Sequence, residues 1–252
     1  MDIHVISLNR TPDRLRYFVR VNGHLPRLNH LPAVDGALLH RDDAMLRGVI
    51  EPDVPYPAGS IGCLLSHRTF WDLVIERDTP MTVCEDDAVF NKRFDRDSTQ
   101  VISSLPADWH FCLWGYNFDA HLMFDFIPGV SVCLAQFDQA TMRASLEQFR
   151  SAEINPRAFR LIQASGTMAY SISPSGARIL REVCLPVRNT PVYFPGFQNW
   201  IPNVGPDVTL SAVYRNIRAF VSFPPLVVTP HDQIASTIKY GAPDADPSGT
   251  AP

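Results

Sequence analysis

Three consecutive carboxylates, Glu85, Asp86 and Asp87, follow a short apolar run in the segment PMTVCEDDAVF. Adjacent negative charges repel one another, so their position at the end of an apolar run indicates that a cation lies beside them. Carboxylate oxygens suit a hard divalent ion such as Mg²⁺ or Mn²⁺, which keeps open coordination positions for substrate phosphates. Such an ion would neutralise a leaving group that carries two phosphates. Taken alone, the triplet is explained equally well by a solvated acidic turn.

The whole chain has the composition of an ordinary globular protein. Its 252 residues are 46% hydrophobic and 19% charged, and the formal net charge is −4. This charge argues against a general nucleic-acid-binding protein, which needs a basic face. The five cysteines are far apart and include no C-x-x-C pair, which argues against zinc ribbons and disulfide frameworks and predicts a reducing compartment. The N-terminal segment lacks the features of a signal peptide and no apolar stretch is long enough to span a membrane, so we expect a cytoplasmic protein.

Apolar runs of strand length alternate with segments of helical pattern along the chain. The runs interpreted as strands are IHVISL, LPAVDG, MTVC, WHFCLWGY, TMAYSIS, RAFVSF and LVV. The first helix is expected to begin within the segment NRTPDR, where Thr11 can cap it and Pro12 suits its first position. Ser173 and Pro174 have the same roles in the segment SPSGARILREVC. The other segments interpreted as helices are GSIGCLLSHRTFWDLVIERD, FDRDSTQVISSL and PDVTLSAVYRN.

This alternation predicts an α/β fold with a mostly parallel central sheet and helices on both of its faces. Ligands of such sheets bind at the carboxyl ends of the strands, and the carboxylate triplet lies at such an end. We expect one domain over residues 1–238 and a disordered tail over residues 239–252. Residues 136–158 remain unassigned, and residues 185–206, rich in proline and aromatic residues, are interpreted as an ordered surface loop.

Several of these segments together resemble a known family. VISLNRTPDR, AVDG, GSIGCLLSHRTFW, TVCEDDAVF and GTMAYSISPSGARIL occur in the order found in glycosyltransferase family 25, and the resemblance covers about residues 3 to 238. The family includes bacterial lipooligosaccharide galactosyl- and glucosyltransferases and the collagen galactosyltransferases. The resemblance implies a GT-A-like nucleotide-sugar-binding fold, Mn²⁺ or Mg²⁺ as cofactor, and inverting transfer of galactose or glucose. The implied donor is a UDP-sugar, and the implied acceptor is a saccharide or a lipid-linked oligosaccharide of cell-surface biosynthesis.

The resemblance also assigns the carboxylates. Asp87 and Glu85 match the outer acids of the family's Asp-x-Asp-like metal motif, with glutamate in the first place. Glu85 is therefore expected to contact the metal or the ribose, and Asp86 can serve in either role. His231, in the segment TPHD, lies in the region from which GT-A enzymes often complete the metal shell. A surface histidine is the alternative for His231.

Further residues are expected to contact the nucleotide. The guanidinium of Arg14 could reach a phosphate or the uracil edge. The alternative is a solvated basic helix, which leaves open a contact with an anionic membrane surface. Asp35 could accept from the ribose or the uracil, or could simply stabilise a turn. The other candidates on the first loop and the long helix are Leu8, Asn9, Arg10, Gly62, Ser66 and His67. For His67, a hydrogen-bonded structural role is the alternative.

The acceptor side is expected near the segment SGTMAY and the last helix. Gly166, Thr167 and Tyr170 match a family segment near the sugar site, although Tyr170 could equally be a core residue. Asp207 is the candidate base that accepts the proton of the acceptor hydroxyl, and Asp86 is the second candidate. Alternatively, Asp207 is an acid that stabilises a helix N-terminus.

Two other classes of function remain open at this point. A metal-dependent phosphohydrolase acting on nucleotide sugars would also use clustered carboxylates. A non-catalytic relative would bind sugars or proteins without transferring them. The intact EDD triplet argues against the second alternative.

Overall fold

The protein is described by a computed structural model over residues 1–230. Within these residues the strands are β1 (Ile3–Ser7), β2 (Leu28–Pro32), β3 (Met81–Glu85), β4 (Val89–Phe90), β5 (Phe111–Gly115), β6 (Leu122–Ile127), β7 (Ser131–Ala135), β8 (Arg157–Gln163), β9 (Ala169–Ile172), β10 (Val192–Phe194), β11 (Asn199–Ile201), β12 (Ala219–Phe223) and β13 (Val227–Val228). The α-helices are α1 (Pro12–Asn22), α2 (Arg41–Leu46), α3 (Ala58–Arg77), α4 (Phe94–Ser104), α5 (Gln139–Ala144), α6 (Leu146–Ser151), α7 (Pro174–Val183) and α8 (Pro206–Val213). Short 3₁₀-helices span Gly36–Leu38 and Tyr214–Asn216.

Nine of the strands form one central sheet in the order β2-β1-β3-β9-β5-β12-β8-β6-β7. Of the eight strand pairings within this sheet, those of β1 with β2, β1 with β3 and β5 with β12 are parallel, and the other five are antiparallel. The α/β class is therefore confirmed, but the expectation of a mostly parallel sheet is wrong. The reason is that β9 enters between β3 and β5 in the reverse direction, and that β8, β6 and β7 extend the sheet through antiparallel neighbours.

Both faces of the sheet are covered, as expected. Strand β5 makes this clear, because successive side chains of a strand point to opposite faces. Phe111 and Leu113 pack into one core with residues of α3, α7 and α8, whereas Cys112 and Trp114 pack into a second core with residues of α1 and α4. All four of these side chains are fully buried. Two hydrophobic layers therefore hold the strand ends rigidly in place.

The long helix α3 lies unusually close to the loop that follows β2. A Cβ atom on Gly62 would lie 2.6 Å from the carbonyl oxygen of Val34 and 2.7 Å from the amide nitrogen of Gly36, so a side chain cannot be accommodated there. The opposite contact is equally tight, because a Cβ on Gly36 would lie 2.1 Å from the carbonyl oxygen of Ala58. These glycines bring the first turns of α3 to the carboxyl end of the sheet.

The helix starts agree largely with the sequence pattern. Helix α1 begins at Pro12 as expected, but Thr11 makes no side-chain capping bond, and its hydroxyl donates instead to the carbonyl oxygen of Leu8 in the preceding tight loop. Helix α7 begins after Ser173, whose hydroxyl oxygen accepts from the amide of Gly176. The capping role predicted for Ser173 is thus confirmed, and that of Thr11 is wrong.

Other elements differ from the prediction. Strand β2 ends at Pro32, earlier than the segment LPAVDG suggests. The unassigned region contains α5 and α6, and the expected surface loop contains the hairpin formed by β10 and β11. Within residues 1–230, no helix is long and apolar enough to cross a membrane. The tail predicted over residues 239–252 lies outside the described residues.

Candidate active site

A cavity of about 1110 Å³ opens at the carboxyl ends of β1, β2 and β3, beside the start of α3. The parallel pairing of β1 and β3 aligns Ile6 with Glu85, so the loop after β1 and the carboxylate triplet meet at one edge of the sheet. The cavity is lined by eight of the residues that the sequence analysis selected: Leu8, Arg10, Arg14, Asp35, Ser66, His67, Glu85 and Asp86. The structure thus gathers most of the expected nucleotide-binding residues around one space.

Asp86 is the most firmly held of the three acids. One of its oxygens accepts from the Ser7 hydroxyl at 2.7 Å, and the other accepts from the Arg14 guanidinium at 2.8 and 2.5 Å. The side chain is buried, and the hydrogen bond with Asp86 raises the pKa of Arg14. A carboxylate with both oxygens occupied in this way is poorly suited to take a proton from a substrate or to bind a metal. The structure therefore favours an anchoring role of Asp86, towards Arg14 and Ser7, over the role of second candidate base.

Glu85 and Asp87 are in a different situation. One oxygen of Glu85 accepts from the Thr167 hydroxyl at 2.6 Å. Burial is the main cause that raises the pKa of Glu85 to about 7, and the charge of Asp87 contributes to this rise. Burial also raises the pKa of Asp87, and the Arg14 guanidinium, 4.0 Å away, opposes this rise. Both carboxylates therefore lie in a place that disfavours their negative charge.

These two acids fit the divalent ion that the family resemblance implies. Thr229 hydrogen-bonds the side chain of Asp87, but Oδ1 of Asp87 is buried and has no partner among residues 1–230. A buried carboxylate oxygen without a donor is costly, and a bound cation would remove that cost. Oxygen ligands are also the type that Mg²⁺ and Mn²⁺ prefer. His231, the third expected ligand, lies outside the described residues.

Asp207 is connected to Glu85 through two adjacent residues. Its carboxylate accepts from the amide of Gly166 at 3.2 Å, while the neighbouring Thr167 donates to Glu85. Gly166 has φ +90°, and a Cβ there would lie 2.3 Å from the side-chain oxygen of Asn117, so only glycine fits this link. Asp207 also lies in the first turn of α8, and burial raises its pKa. Both the helix-terminus role and a position near the reacting groups are therefore compatible with its geometry.

Tyr170 does not face the cavity. It is fully buried, and its hydroxyl accepts from the indole N–H of Trp71 at 2.9 Å and bonds Nδ1 of His67 at 2.9 Å. The expected substrate contact of Tyr170 is therefore replaced by a structural role, because it fixes the orientation of the His67 ring. Burial lowers the pKa of His67 to about 4, so its imidazole is neutral at physiological pH. Its second ring nitrogen, Nε2, is buried without a partner in the described part of the chain.

The remaining nucleotide candidates with hydrogen-bonded side chains are Arg10, Asp35 and Ser66. Arg10 and Asp35 form an ion pair of 2.6 Å at the cavity wall, and Asp35 also accepts from the amide of Ala37 at the start of the first 3₁₀-helix. Thus Asp35 stabilises a turn while it faces the cavity. The Ser66 hydroxyl donates to the carbonyl oxygen of Gly62 and accepts from the amide of Val34, which uses both of its hydrogen-bonding roles.

Two of the expected nucleotide-binding residues do not line the cavity, and neither does Asp87, which follows the lining residues Glu85 and Asp86 in the chain. Asn9 is exposed on the loop after β1, and Gly62 is instead the close-approach position of α3. In contrast, Cys63 lines the cavity beside His67, although no role was inferred for it from the sequence. Its spacing of four residues from His67 on a helix could have drawn attention to it, because such side chains share one face.

Comparison with known proteins identifies the family. The model of glycosyltransferase family 25 (LPS biosynthesis protein) matches residues 1–192. Procollagen galactosyltransferase 2 of Mus musculus is 31% identical over 127 residues, and a probable inactive glycosyltransferase 25 family member 3 of Bos taurus is 30% identical over 122 residues. These matches cover 45% and 42% of this chain, and 20% of each relative, so the chain spans about a fifth of their length. The crystal structure of A197 from STIV aligns with a TM-score of 0.38 and 11% identity over 88% of this chain and 81% of that one, which is too remote to carry an argument. On the family match, the chain belongs to glycosyltransferase family 25.

Proposed function

We propose that this protein transfers a hexose, galactose or glucose, from a UDP-sugar to a hydroxyl group of a saccharide or glycolipid acceptor, with inversion at the anomeric carbon. The observation that carries this proposal is the pair formed by Glu85 and Asp87 beside a cavity of about 1110 Å³. Two carboxylates with raised pKa values, one with an unpartnered buried oxygen, favour a site for a divalent cation and a diphosphate. The family membership and the name of the mouse relative support glycosyl transfer as the reaction.

In this proposal the donor lies along the cavity wall. Arg14, held in place by Asp86, presents a guanidinium that suits a phosphate group, and the pair of Arg10 and Asp35 offers polar groups to the ribose or the base. Glu85 and Asp87 would hold Mn²⁺ or Mg²⁺. When bound, this ion would supply positive charge to the diphosphate as the leaving group departs.

Asp207 is the group that we expect to accept the proton of the acceptor hydroxyl. Its raised pKa favours proton uptake, and the amide of Gly166 holds one of its oxygens in a fixed orientation. A carboxylate becomes a more effective general base as its pKa rises towards the working pH. Because Gly166 and Thr167 are adjacent, the proposed base and the proposed metal ligand Glu85 are linked by a single peptide unit.

The main alternative is a non-catalytic relative, since a protein described as probably inactive is among the matches. Glu85 and Asp87 argue against this alternative. Burial disfavours the charge of both carboxylates, which destabilises the fold unless a bound cation compensates for it. A phosphohydrolase acting on nucleotide sugars is distinguished by its product, because it would release sugar phosphate or phosphate without a sugar acceptor.

Calorimetry with UDP tests the proposal directly. We expect Mn²⁺ to strengthen UDP binding to the native protein, and Asp87→Asn, which keeps the shape and removes the charge, to abolish that gain. The matched control is Asp95→Asn, which changes an exposed acid on α4. Equal UDP affinity with and without metal would refute the role of the triplet. The anomeric configuration of the product, read by NMR, tests inversion separately.

A further inference from the structure

Helix α3 places a thiol and an imidazole on the same side of the cavity. Cys63 and His67 are four residues apart, so their side chains share one face of the helix. Both line the cavity together with Glu85. One ligand atom from each residue, the thiol sulfur, a ring nitrogen and a carboxylate oxygen, lies within 4.8 Å of the other two. Unlike the pair of Glu85 and Asp87, this set mixes sulfur, nitrogen and oxygen.

The imidazole of His67 provides a second and independent indication of a ligand. The side chain is 1% exposed, and Nε2 has no hydrogen-bond partner among residues 1–230. Its other nitrogen, Nδ1, is bonded to the Tyr170 hydroxyl. A metal-binding histidine uses one nitrogen as ligand and donates the proton on the other to an outer-shell oxygen, and the Tyr170 oxygen can accept that proton.

We propose that Cys63, His67 and Glu85 form a binding site for a thiophilic divalent cation of the zinc class. Thiolate and imidazole ligands favour Zn²⁺, whereas Mg²⁺ and Mn²⁺ favour oxygen. Bond lengths of about 2.0–2.3 Å to tetrahedral zinc place its ligand atoms roughly 3.5 Å apart. The limit of 4.8 Å on the distances between the ligand atoms exceeds this by about 1 Å, and rotation of the Cys63 and Glu85 side chains towards the His67 ring, which Tyr170 holds, can supply the approach. The fourth coordination position remains open towards the cavity.

Binding of this cation is a simple exchange. The sulfur–metal bond forms as the thiol proton of Cys63 leaves to solvent, and no electron transfer takes place. Glu85 is also a proposed ligand of the hard metal of the proposed reaction, so a zinc ion bound there competes with that metal for the carboxylate. Zinc is therefore expected to oppose manganese-dependent donor binding. This last consequence rests on the proposed function, whereas the binding of the cation does not.

Cobalt, which replaces zinc and absorbs light, tests the site without any enzymatic assay. On addition of Co²⁺ alone to the full chain, we expect a sulfur-to-cobalt charge-transfer band in the near ultraviolet. Cys63→Ser should lose this band. The matched control is Cys133→Ser, which changes another partly buried thiol located on β7. A native protein without the band, or a band that persists in Cys63→Ser, would overturn the proposal.

A second measurement covers the case in which Cys63→Ser does not fold, as judged by circular dichroism. In the native protein, zinc should protect Cys63 from alkylation by iodoacetamide, as read by peptide mass spectrometry, and should leave Cys133 as reactive as before. Equal alkylation of Cys63 with and without saturating zinc would contradict the site. For a folded Cys63→Ser, zinc affinity should fall by more than the roughly 10- to 100-fold typical of an outer-shell change. If cobalt binds as expected while neither manganese nor zinc changes the affinity for UDP, the proposed function fails and the zinc site stands.

Discussion

Replacing Glu85 by glutamine should stabilise the metal-free protein at pH 8. The carboxylate of Glu85 lies at the buried edge of the cavity beside Asp87, and its pKa in the fold is raised from 4.5 to about 7. Above pH 7 the folded protein therefore carries a charge that its surroundings disfavour. Glutamine removes this charge and keeps an oxygen that can accept from the Thr167 hydroxyl.

The magnitude follows from the two pKa values. A rise from 4.5 to about 7 corresponds to about 3 kcal/mol, at about 1.4 kcal/mol for each pKa unit. Because the side chain is only partly buried, solvent in the cavity reduces this effect, and we expect a gain of about 1–3 kcal/mol in the free energy of unfolding. Because the pKa is raised, the stability difference between the two proteins increases with pH. The cost of the charge is absent below the unfolded pKa of 4.5, grows as the pH rises through the interval to about 7, and is complete above it.

Urea denaturation in metal-free buffer at pH 4.5 and pH 8 measures this difference. Glu85→Gln should exceed the native protein in stability at pH 8 and match it within error at pH 4.5. Glu182→Gln is the matched control, because Glu182 is exposed on α7 and its replacement should change little at either pH. A variant that is equally stable or less stable than the native protein at pH 8 would refute the reasoning.

Saturating Mn²⁺ should reverse the order of stability at pH 8. A ligand that binds the folded state stabilises it by about 2.7 kcal/mol at a hundred times its dissociation constant. The native protein should gain this stabilisation, and Glu85→Gln, which lacks one of the proposed ligands, should gain less. The same residue would then be unfavourable to folding without metal and favourable with it, as expected for a binding site rather than for a structural carboxylate.

The remaining predictions concern the link between the acids and the proposed base. Asp207→Asn should leave UDP binding intact and lower kcat by about 10²- to 10⁴-fold, whereas a helix-terminus role predicts near-normal kcat and a stability loss of about 0.3–1 kcal/mol. Measuring kcat and melting temperature on the same variant separates the two roles. Gly166→Ala should cost about 1–3 kcal/mol of stability, because the residue has φ +90° and its new Cβ would strike Asn117. Gly48→Ala, with φ +64° but open space around the Cβ, should cost only about 1 kcal/mol, and an equal loss in the two variants by urea denaturation would contradict the role of the collision.

The elements that position the site could be predicted because their local signals agree. Residues 81–85 form a continuous apolar run that ends in charge, and the run does become β3 with the acids at its carboxyl end. Likewise, Ser173 followed by Pro174 marks the start of α7 unambiguously. In such places propensity, capping and apolar pattern all favour one structure, and tertiary packing favours the same one.

The hairpin of β6 and β7 was missed although its signal is present. Pro128 and Gly129 separate two runs of partly alternating pattern, and Gly129 has φ +72°, as a tight turn requires. The outward side chains of these strands include apolar residues such as Val132 and Leu134, 50% and 48% exposed, which blurs the alternation of apolar and polar residues. The direction of β9 in the sheet depends on long-range pairing, and no local pattern specifies it.

The roles within the acidic triplet also lay beyond the sequence. Three neighbouring carboxylates look alike in a chain, and only the fold brings Ser7 and Arg14 to the middle one. Distances of 79 and 72 residues along the chain separate Asp86 from these partners. The sequence could therefore locate the acids but could not tell which of them is already neutralised.

The position of β9 determines how the molecule can assemble as it is synthesised. Strand β9 fills the gap between β3 and β5, and its residues pair with partners about 90 and 60 positions earlier in the chain. Until this late segment emerges from the ribosome, the inner edges of β3 and β5 have no neighbour between them. We therefore expect nascent chains that end before residue 169 to depend on chaperones, and folding to be slowed by the loop that must close before the centre of the sheet forms. A break in the chain between β5 and β9 would likewise divide a single cooperative unit rather than separate two domains.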